Sequence, residues 1–187
     1  MRVKRYLMIA VTLSMIALGL GACSSKEEFL DTRAYRDVSE LDHSKPHYTE
    51  FITDGYRMSE DDRKRILEAY EIVNTIRKDE GLEPLKWDVD LETCAMIRAE
   101  EIVASFAHTR PDGEEWYTVY PGMLLGENIC KGSEHADMVM ESWMKNQPDR
   151  DNFLCDGFTK AAMALYRDDK GQCFWTCEFG NESSVRY

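Results

Sequence analysis

Residues 162–166 place apolar side chains on both faces of one extended segment, Ala162, Ala164 and Tyr166 alternating with Met163 and Leu165. A strand with no polar face needs a layer of structure on each side of its sheet. Asp168-Asp169-Lys170-Gly171 supplies a turn, and Gln172 to Phe179 returns as a second strand. The layers come from upstream. Ser59 precedes Glu60, Asp61 and Asp62, an N-cap followed by acids at the positive end of a helix. Ile66, Leu67, Tyr70, Val73 and Ile76 then recur at helical spacing, and Gly81 stops the run. A second helix is expected from Asp90 to Ala107 with Leu91, Cys94, Ala95, Ala99, Ile102 and Phe106 as its buried stripe. A third, capped by Ser133, carries Ala136, Val139, Met140 and Trp143, and a further strand is expected near Glu115 to Tyr120. Helices first and a hairpin last give an α+β class: an α-β-α sandwich of three or four helices around a small antiparallel sheet.

The first 22 residues stand outside that pattern. Arg2, Lys4 and Arg5 precede an apolar run, Leu7 to Leu20, that is shorter than the roughly 20 residues needed to cross a bilayer. It ends in Leu20-Gly21-Ala22-Cys23, which resembles a bacterial lipobox. That resemblance implies cleavage before Cys23, acylation of the new N-terminus, and a membrane-anchored chain facing the extracytoplasmic side. The expected organisation is a signal peptide over 1–22, a lipidated Cys23 and stalk over 23–58, and one globular domain over 59–187. The stalk opens on Ser24, Ser25, Lys26, Glu27 and Glu28 and becomes more apolar toward Tyr48, where docking onto the domain is expected.

Losing the leader removes three cations and no acid, taking the net charge from -12 to -15. Nucleic acid is thereby excluded as a partner, and so is adhesion to anionic lipid by charge, since both require clustered Lys and Arg. The acyl chains must hold the membrane. Five cysteines remain, an odd number: Cys94, Cys130, Cys155, Cys173 and Cys177. Export favours disulfides. Cys94 reads as a small core residue and Cys173 with Cys177 as residues of one strand face, so Cys130 with Cys155 is the natural pair, though spacing leaves connectivity open.

Short motifs then follow in a specific order. Asn74 and Arg77 sit late in the first helix, and Leu85-Lys86-Trp87-Asp88 precedes the second. His108-Thr109-Arg110-Pro111-Asp112-Gly113 and Gly126-Glu127-Asn128-Ile129 come next, then Trp143-Met144. Arg150-Asp151-Asn152-Phe153-Leu154, Gly157-Phe158-Thr159, Phe174-Trp175 and Glu178-Phe179-Gly180 complete the series. From Ile66 to Gly180 this series resembles the CAP superfamily (cysteine-rich secretory, antigen and pathogenesis-related proteins) in its bacterial SCP-domain branch. The resemblance implies a CAP-type α-β-α sandwich and a central cavity lined by a His and a Glu, here His108 and Glu127.

Members often add a second histidine and a second glutamate, and here the chain departs. Asn146 stands where that glutamate commonly lies, and Asp149 where the histidine does. The cavity set is therefore His108, Glu127, Asp149 and Asn146, with Trp116 beside the His108 loop. One imidazole with two carboxylates, His108, Glu127 and Asp149, suits a hard divalent cation or no metal rather than zinc. His43, His47 and His135 read as surface residues, and Arg150 and Asn152 as structural ones. Met123, Met138, Met140, Met144 and Met163 either fill the core or line an apolar groove. Three functions stay open: a binding module of the cell envelope for a small apolar ligand, a wall glycan or a protein; a metal-assisted hydrolase or peptidase with His108 as base and Glu127 orienting it; and a purely structural surface domain. The chain has no Gly-x-Ser-x-Gly and no H-E-x-x-H, which favours binding over catalysis.

Overall fold

The computed structural model describes residues 52, 53 and 56–184. The lipobox, Cys23, His43, His47, Tyr48 and most of the stalk lie outside the described residues. A short antiparallel pair, β1 (Ile52–Thr53) and β2 (Tyr56–Arg57), leads into the domain. Then follow α1 (Glu60–Asp79), β3 (Lys86–Trp87), α2 (Val89–Ala104), a 3-10 turn (Trp116–Val119), β4 (Gly126–Gly132), α3 (Ala136–Lys145), α4 (Gln147–Phe153), β5 (Lys160–Arg167) and β6 (Cys173–Gly180).

Strands β3, β5, β6 and β4 form one sheet in that order. β4, β6 and β5 pair antiparallel, but β3 joins β5 in parallel, so the sheet is mixed. Two residues of β3 carry too little pattern to reveal this. They are pinned from α1, where Asn74 donates to Leu85 O at 3.1 Å and accepts from Leu85 N at 2.8 Å.

β5 and β6 are enclosed on both sides, with Ala161 to Leu165 and Cys173 to Gly180 all buried. On one face lies α2, onto which Thr176 Oγ1 closes by donating to Ala95 O at 2.8 Å. On the other lie α1, α3 and α4. There Phe153 meets Phe179 edge-on at 5.3 Å and Trp143 at 5.5 Å. Burying each such side chain contributes about 1.5–3 kcal/mol.

The helix ends follow local chemistry. Ser59 Oγ accepts from Asp62 N at 3.0 Å. Asp88 Oδ1 accepts from Asp90 N and Leu91 N at 3.0 and 3.2 Å, starting α2. Gly81 takes φ 75° just past α1.

Several expectations are corrected. Residues 116–119 form a 3-10 turn rather than a strand, because Thr118 closes on Glu115 O through both its N–H (2.9 Å) and its hydroxyl (2.7 Å). α2 stops at Ala104, so Phe106 leaves the buried stripe and is 39% exposed. His135, not Ser133, is the cap residue of α3, and Ser133 Oγ accepts from His135 N instead. Met123, Met140 and Met163 are core residues and Met138 is exposed, so the methionines do not line a shared groove. All five described cysteines are free thiols. Cys130 lies against Ser142 of α3, whereas Cys155 follows α4 beside Gly157, and the expected bond between them is not formed.

Candidate functional site

β4 is one of the two edge strands of the sheet, and its first residues carry the site. Gly126 has to be glycine. A Cβ there would meet the Phe158 ring at 2.9 Å and Asn152 Oδ1 at 3.3 Å, so a larger residue would push β4 away from α4. Successive side chains of β4 then point to opposite faces: Glu127 toward α2, Asn128 toward α4.

On the α2 side, Glu127 is fully enclosed and meets Arg98, which is equally inaccessible. Arg98 Nε donates to Glu127 Oε2 at 2.6 Å and Nη2 to Oε1 at 3.2 Å, a bidentate charge-assisted pair. The same guanidinium donates to Glu101 Oε2 and to Ala107 O, both at 2.9 Å. Arg98 therefore grips both the carboxylate and the backbone carbonyl immediately before His108.

The His108 ring completes the arrangement, with Nδ1 2.8 Å from Glu127 Oε1. Nineteen residues apart in sequence, the two side chains meet as expected. The loop that delivers His108 is a tight one. Arg110 N donates to Glu114 O at 2.8 Å, Gly113 takes φ 89°, and Thr109 bridges Glu115. Arg110 clamps it, with Nη2 donating to Glu101 Oε1 at 2.6 Å and Nη1 to Thr118 Oγ1 at 3.2 Å. The His108 side chain is 54% exposed although its partner is wholly buried.

Electrostatics fix which nitrogen is which. The Glu127 bond raises the proton affinity of His108, partly opposed by burial. For Glu127 burial is the largest influence and would raise its pKa, but the bonds to His108 and Arg98 overcome it and hold the carboxyl below its ordinary value. Glu127 is thus the acceptor and Nδ1–H the donor. Nε2 makes no hydrogen bond among the described residues, on a side chain that is half exposed.

Because the His108 pKa is raised, its contribution to stability is complete below its unfolded value of 6.5 and is lost as pH rises through the folded value. That of Glu127 is complete above 4.5 and lost as pH falls through its lowered value. The stability difference between wild type and His108→Ala is therefore expected to be greatest between these two values. Denaturant unfolding at about pH 5.5 and about pH 8.5 checks this, the difference being smaller at the higher pH.

Around the edge of the sheet, Asn128 Nδ2 donates to Asp149 O at 2.9 Å, and Asn152 Nδ2 to Asn128 Oδ1 at 2.8 Å. Asp149 is buried. Its desolvation raises its proton affinity, opposed by the charge of His108 and a hydrogen bond from Asn146. Asp149 thus lies within the electrostatic reach of His108. Asn146 is exposed at the α3–α4 junction, and Asn152 has the structural role expected of it. Trp116 is half-buried against the core, edge-on to Tyr117 at 5.7 Å, on the turn that Arg110 ties to the loop.

The set does not fit a divalent cation. Both Glu127 oxygens are engaged by Arg98 and one also by His108, so a metal there would have to displace a buried guanidinium. Among the described residues no group of three or more His, Cys, Asp or Glu side chains is arranged to hold a metal ion. A cleft of about 520 Å³ lies elsewhere, lined by Asp61, Lys64, Arg65, Glu68, His135, Ala136 and Asp137.

Sequence reasoning missed Arg98, Glu101 and Glu178. Arg98 lies among Cys94, Ala95, Ala99 and Ile102 on the apolar stripe of α2, and a charge in a buried stripe is the signal that marks it. Glu178 sits between Cys177 and Phe179 in a strand buried on both faces, directly opposite Glu127.

Comparison with known proteins bears on the family and the fold. The family model described as CAP, cysteine-rich secretory protein family, matches residues 70–179. The uncharacterized protein YkwD of Bacillus subtilis is 26% identical over 116 residues, 58% of this chain and 44% of that one. An extracellular protein containing a SCP domain from Bacillus anthracis aligns with TM-score 0.57 and 21% identity, over 64% of this chain and 41% of that chain. An outer surface protein from Borrelia burgdorferi aligns with TM-score 0.55 and 16% identity, over 64% and 93% respectively. The chain spans less than half the length of the two Bacillus proteins.

Proposed function

We propose, from the premise that this chain belongs to the CAP family of cysteine-rich secretory proteins, that it is a ligand-binding module of the cell envelope. It is held on the extracytoplasmic side by acylated Cys23, and its ligand engages His108. The observation that carries this reading is the Arg98–Glu127–His108 chain. Two buried groups are committed to orienting one ring whose outer nitrogen is left for something outside the fold. The ligand classes that remain are a wall glycan, a protein and a small apolar molecule.

One observation favours a second reading. With Nδ1–H held by Glu127, a neutral His108 offers its Nε2 lone pair, the orientation a general base needs. The described Ser and Cys side chains, however, make no hydrogen bond to that ring.

Full-length protein recovered from the membrane fraction decides between these, by native mass spectrometry and by hydrolysis assays. Wild type is expected to carry an acylated N-terminus and a co-purifying ligand. His108→Ala should keep the acyl chains and lose the ligand, and Cys23→Ser should leave the membrane fraction. Unchanged ligand content in His108→Ala defeats the binding reading. Turnover that disappears in the same variant installs the hydrolase.

A further inference from the structure

β6 carries an acid in the middle of a fully buried ladder. Glu178 is inaccessible to solvent, and no donor among the described residues reaches either of its carboxyl oxygens, whose one hydrogen-bond contact is with the facing Glu127 carboxyl. A carboxylate left so would carry a heavy desolvation penalty.

Its surroundings offer it no cation of its own. Across the β4–β6 ladder Glu178 stands opposite Glu127 on the face covered by α2, and across β5 it meets only Ala162. From α2 the groups that reach it are Arg98, Glu101 and the Cys94 thiol, and on its own strand Cys177 is its neighbour. Arg98 is already committed to Glu127, Glu101 and Ala107 O. Directly opposed cross-strand side chains have Cβ atoms roughly 4.5–5.5 Å apart, and like charges in that relation repel. With Glu127 and Glu101 already held by Arg98, its single charge does not neutralise a third ionised acid beside them, and facing carboxyls resolve such a conflict by keeping a proton.

We propose that Glu178 is a member of the His108 site, the second half of a proton-sharing carboxyl pair with Glu127, so that the two acids together carry one negative charge. This rests on reading His108 and Glu127 as the binding site. Glu178 is a positioning residue: while it holds the proton it does not compete with Glu127 for Arg98, and Glu127 stays ionised toward the ring. When the proton crosses, the O–H bond of Glu178 breaks and one forms on Glu127, Glu178 becomes the carboxylate, and the charge of the cluster is unchanged. Burial and the facing Glu127 both push the proton affinity of Glu178 well up, in keeping with this arrangement.

The test is a pH titration of full-length protein labelled with ¹³C at the glutamate carboxyls, with the His108 ring followed in the same samples. In wild type, one glutamate resonance is expected at the protonated-acid position at neutral pH, and it should be absent from Glu178→Gln. The wild-type His108 titration should be broadened by coupling to the pair, and that broadening should be lost in Glu178→Gln. Glutamate resonances all at the carboxylate position in wild type overturn the proposal, as do superimposable His108 curves. Should the variant fail to fold, the wild-type spectrum decides alone. A protein that shows the acid resonance yet has no His108-dependent ligand would sink the binding function and leave the pair standing.

Discussion

Arg98→Met is expected to destabilise the domain by about 3–5 kcal/mol, because it leaves Glu127 as a buried charge without its bidentate partner. Methionine fills most of the space, so the loss is electrostatic more than volumetric. The double variant Arg98→Met/Glu127→Gln should therefore recover a large part of the deficit, since no charge is then stranded. Denaturant unfolding of the two single variants and the double variant measures the coupling. A single-variant loss under about 1 kcal/mol would mean that water or Glu178 compensates Glu127, and the proposed role of Arg98 would fail. The His108 ring supplies a second readout. Arg98 opposes the imidazolium by its charge, so removing it should move the titration midpoint of His108 upward. A cavity effect alone would not do that.

This result would bear on why half of the site was legible in the sequence. His108 and Glu127 sit in loops and at an edge strand, where turn residues, a Gly before Glu127 and a Pro and Gly after His108 mark them locally. Asn74 also stands out, because a polar side chain at that point of α1 has a single task, replacing a missing ladder for Leu85. Arg98 and Glu178 are hidden by the opposite circumstance. They occupy positions that periodicity assigns to the apolar interior, and pattern counting passes over a single charge in an otherwise regular stripe. Only the register of β4 against β6 shows that Glu178 and Glu127 share a face. The fold itself was more readable. The doubly apolar strand of residues 162–166 demanded two layers, and α2 on one side with α1, α3 and α4 on the other supply them. What failed were short elements settled by a few local bonds, β3 and the turn at residues 116–119, whose two or four residues hold less pattern than one turn of helix.

The second large effect lies on the far side of the sheet, at Arg77, which is buried and forms no salt bridge among the described residues. Its guanidinium instead satisfies backbone carbonyls: Nε donates to Glu83 O at 2.8 Å, Nη1 to Phe153 O at 2.7 Å and Cys155 O at 2.9 Å, and Nη2 to Phe158 O at 3.1 Å. Three of those acceptors belong to the end of α4 and the loop after it, a segment whose own closing bonds, Cys155 N to Asn152 O at 3.3 Å and Phe158 N to Cys155 O at 3.4 Å, are long. An orphaned buried carbonyl costs about 1–3 kcal/mol, less where water can enter. Arg77→Met is accordingly expected to lose about 3–5 kcal/mol in denaturant unfolding. Arg77→Lys keeps the charge but replaces a planar fork by a point donor that cannot span four acceptors, and it should still lose about 2 kcal/mol. Hydrogen exchange separates this from a general weakening. Protection should fall first in residues 153–158 and then in α4, which carries Asp149 and Asn152 and braces Asn128 from behind Glu127. If exchange instead rose uniformly across β5 and β6, Arg77 would be an ordinary core residue, and the α4 side of the site would owe its position to packing alone.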